Sequence, residues 1–398
     1  MEGCPEEEWT KDTLVSGPNA MENAHLAVTI NEDGTLNVLD KALGRTYENL
    51  CYFEDTLDAG NEYIYFCPEG NEPILTKGTK ASVQLVEDTP IKAVYEIINQ
   101  MTVPVSADEQ LKLEQESVVP VPDRTCGRSS RMVQMELHTF VTLEKDARSL
   151  TFKTVFDNTA KDHRIRVIVP TGLTSKWHYA ESVFEVAKRP NEHSKVWENP
   201  CKCEHQQSFV GMEDEKGGLL VANIGLYEYE ILPGQDNAMA VTLVRCVGEL
   251  GDWGVFKTEL SQQQRRLEAE YALTFFEGDL VEADGYRWAH QFQIPVTAEQ
   301  TGIHNGQMPA GNRFLEWCGA QMVFSGMKGK DESNDVMVRF FNCGEEDSVL
   351  YITKIPYFTE LYFSNVLEEE LRLLLPDENG IYEIPVRGYE IITIGLKK

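Results

Sequence analysis

Residues 26–38 read LAVTINEDGTLNV, and this stretch decides the fold class. Apolar residues occupy every second position from Leu26 to Ile30 and again from Leu36 to Val38. Such alternation places the apolar side chains of a strand on one face of a sheet. The pair Asp33-Gly34 between the two arms is typical of a tight hairpin turn. The stretch therefore predicts two antiparallel strands closed by a short turn.

The same period of two returns throughout the chain. It recurs at residues 150–156, 165–169, 218–223 and 381–386, and short polar turns separate many of these segments from their neighbours. The regular alternation of strands with helices that a parallel α/β sheet requires is missing from the pattern. The sequence therefore predicts an all-β protein built from sandwiches.

Shifts in composition divide the chain into four predicted parts. We expect an acidic lead-in at residues 1–22 and a large β domain at 23–297. Residues 298–312 contain Gly, Pro, Asn and Gln and are predicted to be a linker or long loop. A small β domain follows at 313–398. Within the large domain, the polar segment 108–131 is predicted to be a mobile excursion.

The net charge limits the partners of the chain. It has 36 Lys and Arg against 65 Asp and Glu among its 398 residues, which gives a formal charge of −29. A surface this acidic repels a phosphate backbone, so nucleic acid is excluded as a partner. The sequence also lacks a run of about 18 apolar residues, which excludes a helix that spans a membrane.

The nine cysteines are scattered and odd in number, and the first 16 residues include no apolar secretion segment. We therefore expect a protein of the reducing cytoplasm. Cys201 and Cys203 lie near His193 and His205 in the sequence, which makes a zinc site one interpretation. The usual two-residue spacing between thiols is missing, and no second cysteine pair follows. A plain loop is therefore the favoured interpretation, and no metal ligand is assigned.

Residues 53–65 combine carboxylates, an amide and aromatic rings in one turn-like segment. Sugars are bound by such polar groups on their hydroxyls and by aromatic faces on their C–H side. A solvated acidic loop fits the segment equally well, and both interpretations stay open. The motifs of nucleotide-binding loops, metalloproteases and serine hydrolases are missing from the sequence.

Arg164 and Arg166 are two positions apart in a predicted strand and therefore share a face. They either anchor a substrate or pair with some of the surplus acids, and the second arrangement is commoner. Asp162 and His163 beside them are candidates for an acid–base pair. Neighbours in a strand face opposite sides, however, which disfavours that pair.

Several segments, taken in order, are similar to one protein family. The most specific covers residues 156–172, which begin FDNTAKDHRIRV and end in Pro-Thr-Gly. The others are residues 23–41, 53–63, 218–230, 262–273, 338–342 and 389–393. Together they resemble the C-terminal β region of family 38 glycoside hydrolases, the α-mannosidases, and in particular the mannosylglycerate hydrolase type. The resemblance extends over about residues 23–398.

This resemblance implies a fold for the chain and separate roles for the β region and the catalytic domain. The fold is a galactose-mutarotase-like supersandwich followed by a small terminal β-sandwich. In whole members of the family, a separate N-terminal domain supplies the zinc ligands and the carboxylate nucleophile of a retaining hydrolase. The resemblance therefore implies no catalytic residue and no cofactor in this chain, zinc in the complete enzyme, and no activity of the chain alone.

The resemblance also implies a supporting role at the sugar site. The chain would be the non-catalytic β portion of an α-mannosidase, lending carbohydrate-binding rim residues and structural support. Tyr63 is the residue expected to donate to a mannoside or stack on it, and Asp58, Asn61 and Arg164 are transferred by position alone. The expected partners are an α-mannoside and a catalytic domain, either in the same enzyme or in a separately encoded chain.

Two other functions stay open. One is a free-standing carbohydrate-binding or aldose-epimerase-like protein, for which His138, His163 and Glu136 are the candidate acid and base residues. The other is a plain interaction subunit of a separately encoded catalytic chain. The sequence also leaves open whether the chain forms a homo-oligomer.

Overall fold

The computed structural model describes residues 13–194, 196, 199, 201–234, 236–254, 256–303, 305–306, 311–331 and 333–398. Strands account for nearly all of the regular structure in these residues. The predicted all-β class is confirmed. Contacts divide the chain into two units, one of residues up to Ala180 with Lys188–Leu280, the other of Glu181–Ala187 with Val281–Lys398.

The first 280 residues contain helix α1 (Glu109–Glu116), 3₁₀ turns at Val121–Asp123 and Glu259–Gln262, and twenty strands in their described part. The strands are β1 (Val15–Gly17), β2 (Ala20–Glu22), β3 (Leu26–Ile30), β4 (Leu36–Asp40), β5 (Arg45–Leu50), β6 (Tyr52–Leu57), β7 (Ile74–Leu75), β8 (Ser82–Thr89), β9 (Lys92–Pro104), β10 (Met132–Glu144), β11 (Ser149–Asp157), β12 (His163–Val169), β13 (Trp177–Ser182), β14 (Glu185–Pro190), β15 (Glu204–His205), β16 (Phe209–Asp214), β17 (Gly217–Ile224), β18 (Glu228–Leu232), β19 (Ala238–Cys246) and β20 (Arg266–Glu277).

The stretch from Leu26 to Val38 forms the predicted hairpin. Strands β3 and β4 pair antiparallel, with Leu26 opposite Asp40 and Ile30 opposite Leu36. The turn requires glycine at position 34, which has φ = +84°. A Cβ at this position would also lie 2.7 Å from the Ile97 side chain. Turn chemistry and packing thus agree on the register of this hairpin.

Strands β1–β20 form three antiparallel sheets. The hairpin belongs to a five-stranded sheet in the order β1-β2-β3-β4-β5. A nine-stranded sheet runs β14-β13-β16-β17-β20-β11-β10-β9-β8, and a six-stranded sheet runs β15-β18-β19-β12-β6-β7. One continuous apolar core joins residues from all three sheets, among them Val38, Phe152 and Val167. This is the large sandwich that the sequence predicts.

The described strands between residues 316 and 397 form a small sandwich. A three-stranded sheet with the strand order 316–318, 348–354 and 382–386 shares a core with a five-stranded sheet with the strand order 322–329, 336–342, 391–397, 360–364 and 370–374. The predicted small terminal β-sandwich is confirmed. The elements are α2 (Gly285–Gln293), β21 (Glu316–Cys318), β22 (Met322–Gly329), β23 (Val336–Asn342), β24 (Ser348–Lys354), β25 (Glu360–Ser364), β26 (Glu370–Leu374), β27 (Tyr382–Val386) and β28 (Ile391–Lys397).

The predicted domain bounds at residues 22, 297 and 312 stay predictions, because a contact division does not define where an independently folding domain begins. The described part of the predicted lead-in forms β1 and β2, which pair with each other and with β3. Residues 1–12, 304 and 307–310 of the predicted lead-in and linker lie outside the described residues. Among the described helices, none is long and apolar enough to cross a membrane.

Candidate carbohydrate-contacting site

The middle of the six-stranded sheet carries a layer of buried charge. Strand β12 lies between β6 and β19, so that Arg164 is opposite Thr56 and Arg245, and Arg166 is opposite Glu54. These side chains share the face of the sheet that points away from the apolar core. The prediction that Arg164 and Arg166 lie on one face agrees with this register.

Arg166 is paired with one acid on the neighbouring strand β6 and with another on β18, which lies beyond β19. Its Nε donates to Glu54 Oε1 at 2.9 Å, and its Nη1 donates to Glu230 Oε2 at 2.5 Å. Arg166 and Glu54 are both buried. A buried ion pair needs such close partners because each charge has lost its hydration. Of the two interpretations of this arginine, pairing with the surplus acids is the one that the contacts fit.

Arg164 is also inside the protein, with only 1% of its surface exposed. Its guanidinium carbon lies 3.3 Å from the centroid of the Tyr65 ring, and its Nη1 donates to Cys203 Sγ at 3.0 Å. The nearest carboxylates, those of Glu228 and Glu230, are each 3.8 Å away. Arg164 therefore underlies Tyr65, and a sugar could touch it only after the side chains above it had moved.

Residues 58–66 form a loop that is held together by its own buried polar atoms. Asp58 Oδ1 accepts from the backbone N–H of Gly60 at 3.0 Å, and Asp58 Oδ2 accepts from Arg245 Nε at 2.9 Å. Asn61 Oδ1 accepts from the backbone N–H groups of Tyr63 and Ile64 at 2.9 and 3.0 Å. Asp58 and Asn61 are both buried, so that their visible role is to fix the loop.

A second arginine, in the polar segment 108–131, also holds this loop. The sequence predicts this segment to be a mobile excursion, but it also makes contacts that support the loop. Arg124 donates from Nη1 to the carbonyl of Ala59 at 2.7 Å and pairs with Glu249. The segment contains α1, whose first turn is capped by Asp108, and it packs the buried Arg124 beneath the loop. Some of the charged residues of segment 108–131 therefore stabilise the structure around the loop.

Tyr63 lies at the exposed tip of this loop and belongs to an aromatic patch, which we define as Tyr63, Trp253 and Phe256. Their exposed fractions are 66%, 53% and 55%. The ring centroids of Tyr63 and Trp253 are 6.2 Å apart, and those of Trp253 and Phe256 are 6.3 Å apart. Sequence reasoning missed Trp253 and Phe256, because nearly 200 residues separate them from Tyr63.

A cavity of about 700 Å³ adjoins the patch and offers polar groups. Tyr63 and Tyr227 contribute aromatic rings to its wall, and Glu228, Glu204 and Arg189 contribute charges. Arg189 is held by the carbonyl of His205 at 2.7 Å and by Glu204 at 3.2 Å. Aromatic faces beside carboxylates and a guanidinium are the groups that bind sugar hydroxyls and C–H faces.

The predicted acid–base candidates are placed differently. His163 and Asp162 do not pair: His163 Nδ1 lies 2.5 Å from Asp55 Oδ2, and its Nε2 lies 3.1 Å from Asn158 Oδ1. Asp162 accepts instead from Gln262, and burial raises the pKa of its carboxyl. His163 is buried with both ring nitrogens engaged, so that it lacks the access to substrate that a base requires.

His138 is on a different sheet from His163. It projects from β10, with Nδ1 at 2.9 Å from Glu96 Oε1 and Nε2 at 3.7 Å from Glu136 Oε2. His138 and Glu136 therefore form a partly exposed cluster with Glu96 on the nine-stranded sheet. The structure brings two of the three epimerase candidates together and leaves His163 apart from them.

Zinc does not fit the described side chains of this chain. Within the part of the chain that the structure describes, no group of three or more His, Cys, Asp or Glu could hold a metal ion. Cys201, Cys203, His193 and His205 are described, and they form no such group. We therefore assign no chemical step to a metal bound by these residues.

Two family descriptions match the chain. Residues 21–249 match the "Glycosyl hydrolases family 38 C-terminal domain", which is more than half of the sequence. Residues 321–394 match the "Glycosyl hydrolases family 38 C-terminal beta sandwich domain". The first match falls within the large sandwich and the second within the small one.

Curated and solved relatives agree with these matches. A protein of Halalkalibacterium halodurans, provisionally named mannosylglycerate hydrolase, is 36% identical over 383 residues, which are 96% of this chain and 42% of that protein. A crystal structure of an alpha-mannosidase from Enterococcus faecalis V583 is 37% identical with a TM-score of 0.88, and covers 97% of this chain. Another family 38 structure from Enterococcus faecalis is 36% identical with a TM-score of 0.86 over 97% of the chain.

The chain spans less than half of each relative: 42% of the Halalkalibacterium protein, and 43% and 45% of the two Enterococcus chains. The sequence motifs, the two sandwiches and the matched ranges lead to one assignment. This chain belongs to glycoside hydrolase family 38, of which it contains the C-terminal β region.

Proposed function

We propose that the chain is the non-catalytic β portion of an α-mannosidase of family 38 and that its aromatic patch forms part of the rim of the carbohydrate site. The observation that carries this proposal is the exposure of Tyr63 on a loop whose base is rigidly bonded. Aromatic rings of this kind cover the C–H face of a sugar, and their position must be fixed for stacking to contribute.

The other candidate residues receive supporting roles in this proposal. Asp58 and Asn61 hold the loop that presents Tyr63, and Arg164 supports Tyr65 at its base. The carboxylate of Glu228 in the adjoining cavity accepts from sugar hydroxyls, and Arg189 donates to them. The substrate-binding role predicted for Asp58, Asn61 and Arg164 is thereby indirect.

Cleavage of the glycosidic bond is assigned to the part of the family members that this chain does not cover. Retaining hydrolysis needs two carboxyl groups about 5 Å apart on either side of the anomeric carbon. We propose that these groups and the zinc are supplied by a catalytic domain, in the same enzyme or in a separate chain, while this chain orients an α-mannoside. We also propose a cytoplasmic location, because the nine cysteines are scattered and odd in number, unlike a disulfide framework.

Replacing Tyr63 by alanine is expected to weaken the binding of methyl α-mannoside to this chain about tenfold. That factor corresponds to about 1.4 kcal/mol, which is the scale of a single aromatic contact. Trp253→Ala is expected to weaken binding similarly, since the two rings form one surface. The affinities are measured by NMR titration of the sugar into each variant.

Tyr389→Ala is the matched control, because Tyr389 is also exposed but lies in the small sandwich. Its sugar affinity is expected to equal that of the unmodified chain. Equal affinities for the unmodified chain and Tyr63→Ala would show that the aromatic patch is not a sugar-binding surface.

A further inference from the structure

Cys201 and Cys203 form a thiol pair that the proposed function does not use. The Cys203 thiol is hydrogen-bonded to the side chain of Cys201, and the backbone N–H of Cys203 points to Cys201 Sγ at 3.4 Å. Both residues line the cavity of about 700 Å³ beside Tyr63. A small dissolved molecule can therefore reach the pair through this cavity.

The surroundings give the two thiols different character. Arg164 Nη1 donates to Cys203 Sγ at 3.0 Å, and Cys203 in turn donates to Cys201. The hydrogen bond from Cys203 lowers the pKa of the Cys201 thiol to about 7, against the effect of its burial. The same bond raises the pKa of Cys203. Cys201 is thus the more acidic thiol of the pair, and thiolates are the attacking species in disulfide exchange.

The other cysteines provide a contrast. Burial raises the pKa of the thiols of Cys51, Cys126, Cys246 and Cys343, which makes them poor nucleophiles. Cys318 is exposed on the small sandwich. Residues two positions apart have Cα atoms no more than about 7 Å apart. This limit is close to the range of about 4.4–6.8 Å that a disulfide bridges. The contact of the Cys203 N–H with Cys201 Sγ at 3.4 Å shows that the two residues approach each other.

We propose that Cys201 and Cys203 are a modification site that reacts with low-molecular-weight disulfides and closes to an intrachain disulfide. The Cys201 thiolate attacks one sulfur of the small disulfide, forms a mixed disulfide and releases one small thiolate. Cys203 then loses its proton and attacks the Cys201 sulfur, which releases the second small thiolate. The protein loses two electrons and two protons, and the small disulfide is reduced to two thiols.

Closure of the disulfide changes the base of the aromatic patch. Cys203 is the hydrogen-bond acceptor of Arg164, whose guanidinium lies against Tyr65. A disulfide sulfur is a weaker acceptor than a thiol or thiolate, so oxidation loosens the contact beneath the loop that carries Tyr63. The proposed site therefore couples the redox state of small thiols to the stability of the loop that carries Tyr63. The disulfide itself forms whether or not the loop binds sugar.

The experiment uses oxidised glutathione on the folded chain, followed by alkylation and trypsin without reductant. Trypsin cleaves after Lys202, between the two cysteines, so that reduced protein gives separate peptides 196–202 and 203–216. We expect these two peptides to remain joined after oxidation and to separate on adding dithiothreitol. Cys318 is expected to carry glutathione, which shows that the reagent has acted.

Single variants assign the two roles. Cys203→Ser is expected to trap glutathione on Cys201, because the resolving thiol is gone. Cys201→Ser is expected to leave Cys203 unmodified over the same time. Separate peptides in the unmodified chain while Cys318 carries glutathione would overturn the proposal. Equally fast glutathione addition to Cys203 in Cys201→Ser would overturn the assignment of Cys201 as the attacking thiol.

Discussion

Replacing Arg166 by methionine is expected to lower the free energy of unfolding of the large sandwich by about 3–5 kcal/mol. Arg166 is buried, and it donates to Glu54 at 2.9 Å and to Glu230 at 2.5 Å. Methionine has a similar volume but no charge, so Glu54 loses its cation and Glu230 keeps only the more distant Arg164 at 3.8 Å. Glu54 then remains buried without the compensation that its ionised form requires. Urea titration followed by circular dichroism measures the loss.

The size of this effect depends on burial, and the chain offers a matched control. Arg148 pairs with Glu277 at 3.4 Å, and about half of both side chains is exposed. Arg148→Met is expected to cost less than about 1 kcal/mol, because water solvates both charges already. The double variant Arg166→Met with Glu54→Gln is expected to regain part of the stability. Equal losses for Arg166→Met and Arg148→Met would contradict the charged layer described for this sheet.

Replacing Gly60 by alanine is expected to disrupt the loop of residues 58–66. A Cβ at position 60 would lie 1.8 Å from the carbonyl oxygen of Ile64, which is backbone and cannot move aside alone. We expect a loss of about 1–3 kcal/mol of stability, as for other cases of overpacking. We also expect the affinity for methyl α-mannoside to fall at least as far as in Tyr63→Ala, since the ring loses its support.

Gly17→Ala is the control for Gly60→Ala. A Cβ at position 17 meets only the Cβ of Ala20 at 3.8 Å, which is an ordinary contact. Stability and sugar affinity are expected to stay unchanged in this variant. If Gly60→Ala bound the sugar with the affinity of the unmodified chain, the loop would not be the element that positions Tyr63.

The fold class could be predicted from short stretches of sequence, because apolar and polar side chains alternate within each strand. The alternation from Leu26 to Val38 and the Asp33-Gly34 turn predicted a hairpin that the structure contains in that register. The side-chain period of two acts over a few residues and needs no knowledge of the partner strand. The same reasoning gave the two sandwiches but placed α1 in a polar excursion, because a short helix of low hydrophobicity leaves a weak signal.

Long-range polar pairing could not be predicted in the same way. His163 was considered beside Asp162, its neighbour in sequence, but its partner is Asp55, which is 108 residues away. Arg124 and Trp253 were missed for the same reason, because their partners Ala59 and Tyr63 lie far from them in the chain. Which charges meet inside a sheet depends on strand order, which the alternation of side chains does not encode.

The most specific sequence resemblance has a structural explanation. Within residues 156–172, Asn158 holds His163 and the backbone of Ala160, and Arg164 and Arg166 form the buried charged layer. These residues are polar yet inside the protein, where each needs a precise partner. The segment therefore stabilises the sheet beneath the aromatic patch, as expected if the patch is the proposed sugar rim and the chain has a supporting role.

The central claim is that this chain orients a mannoside and does not break its bond. The most direct test is the hydrolysis of an aryl α-mannoside, with zinc present, by the purified chain and by the chain joined to the part of the Enterococcus faecalis α-mannosidase that it does not span. Mutarotation of galactose by the chain alone is followed in parallel by polarimetry. The account predicts no turnover by the chain in either assay and hydrolysis by the joined protein. Turnover by the chain alone, lost when one of its own carboxylates is changed to the amide, would contradict it.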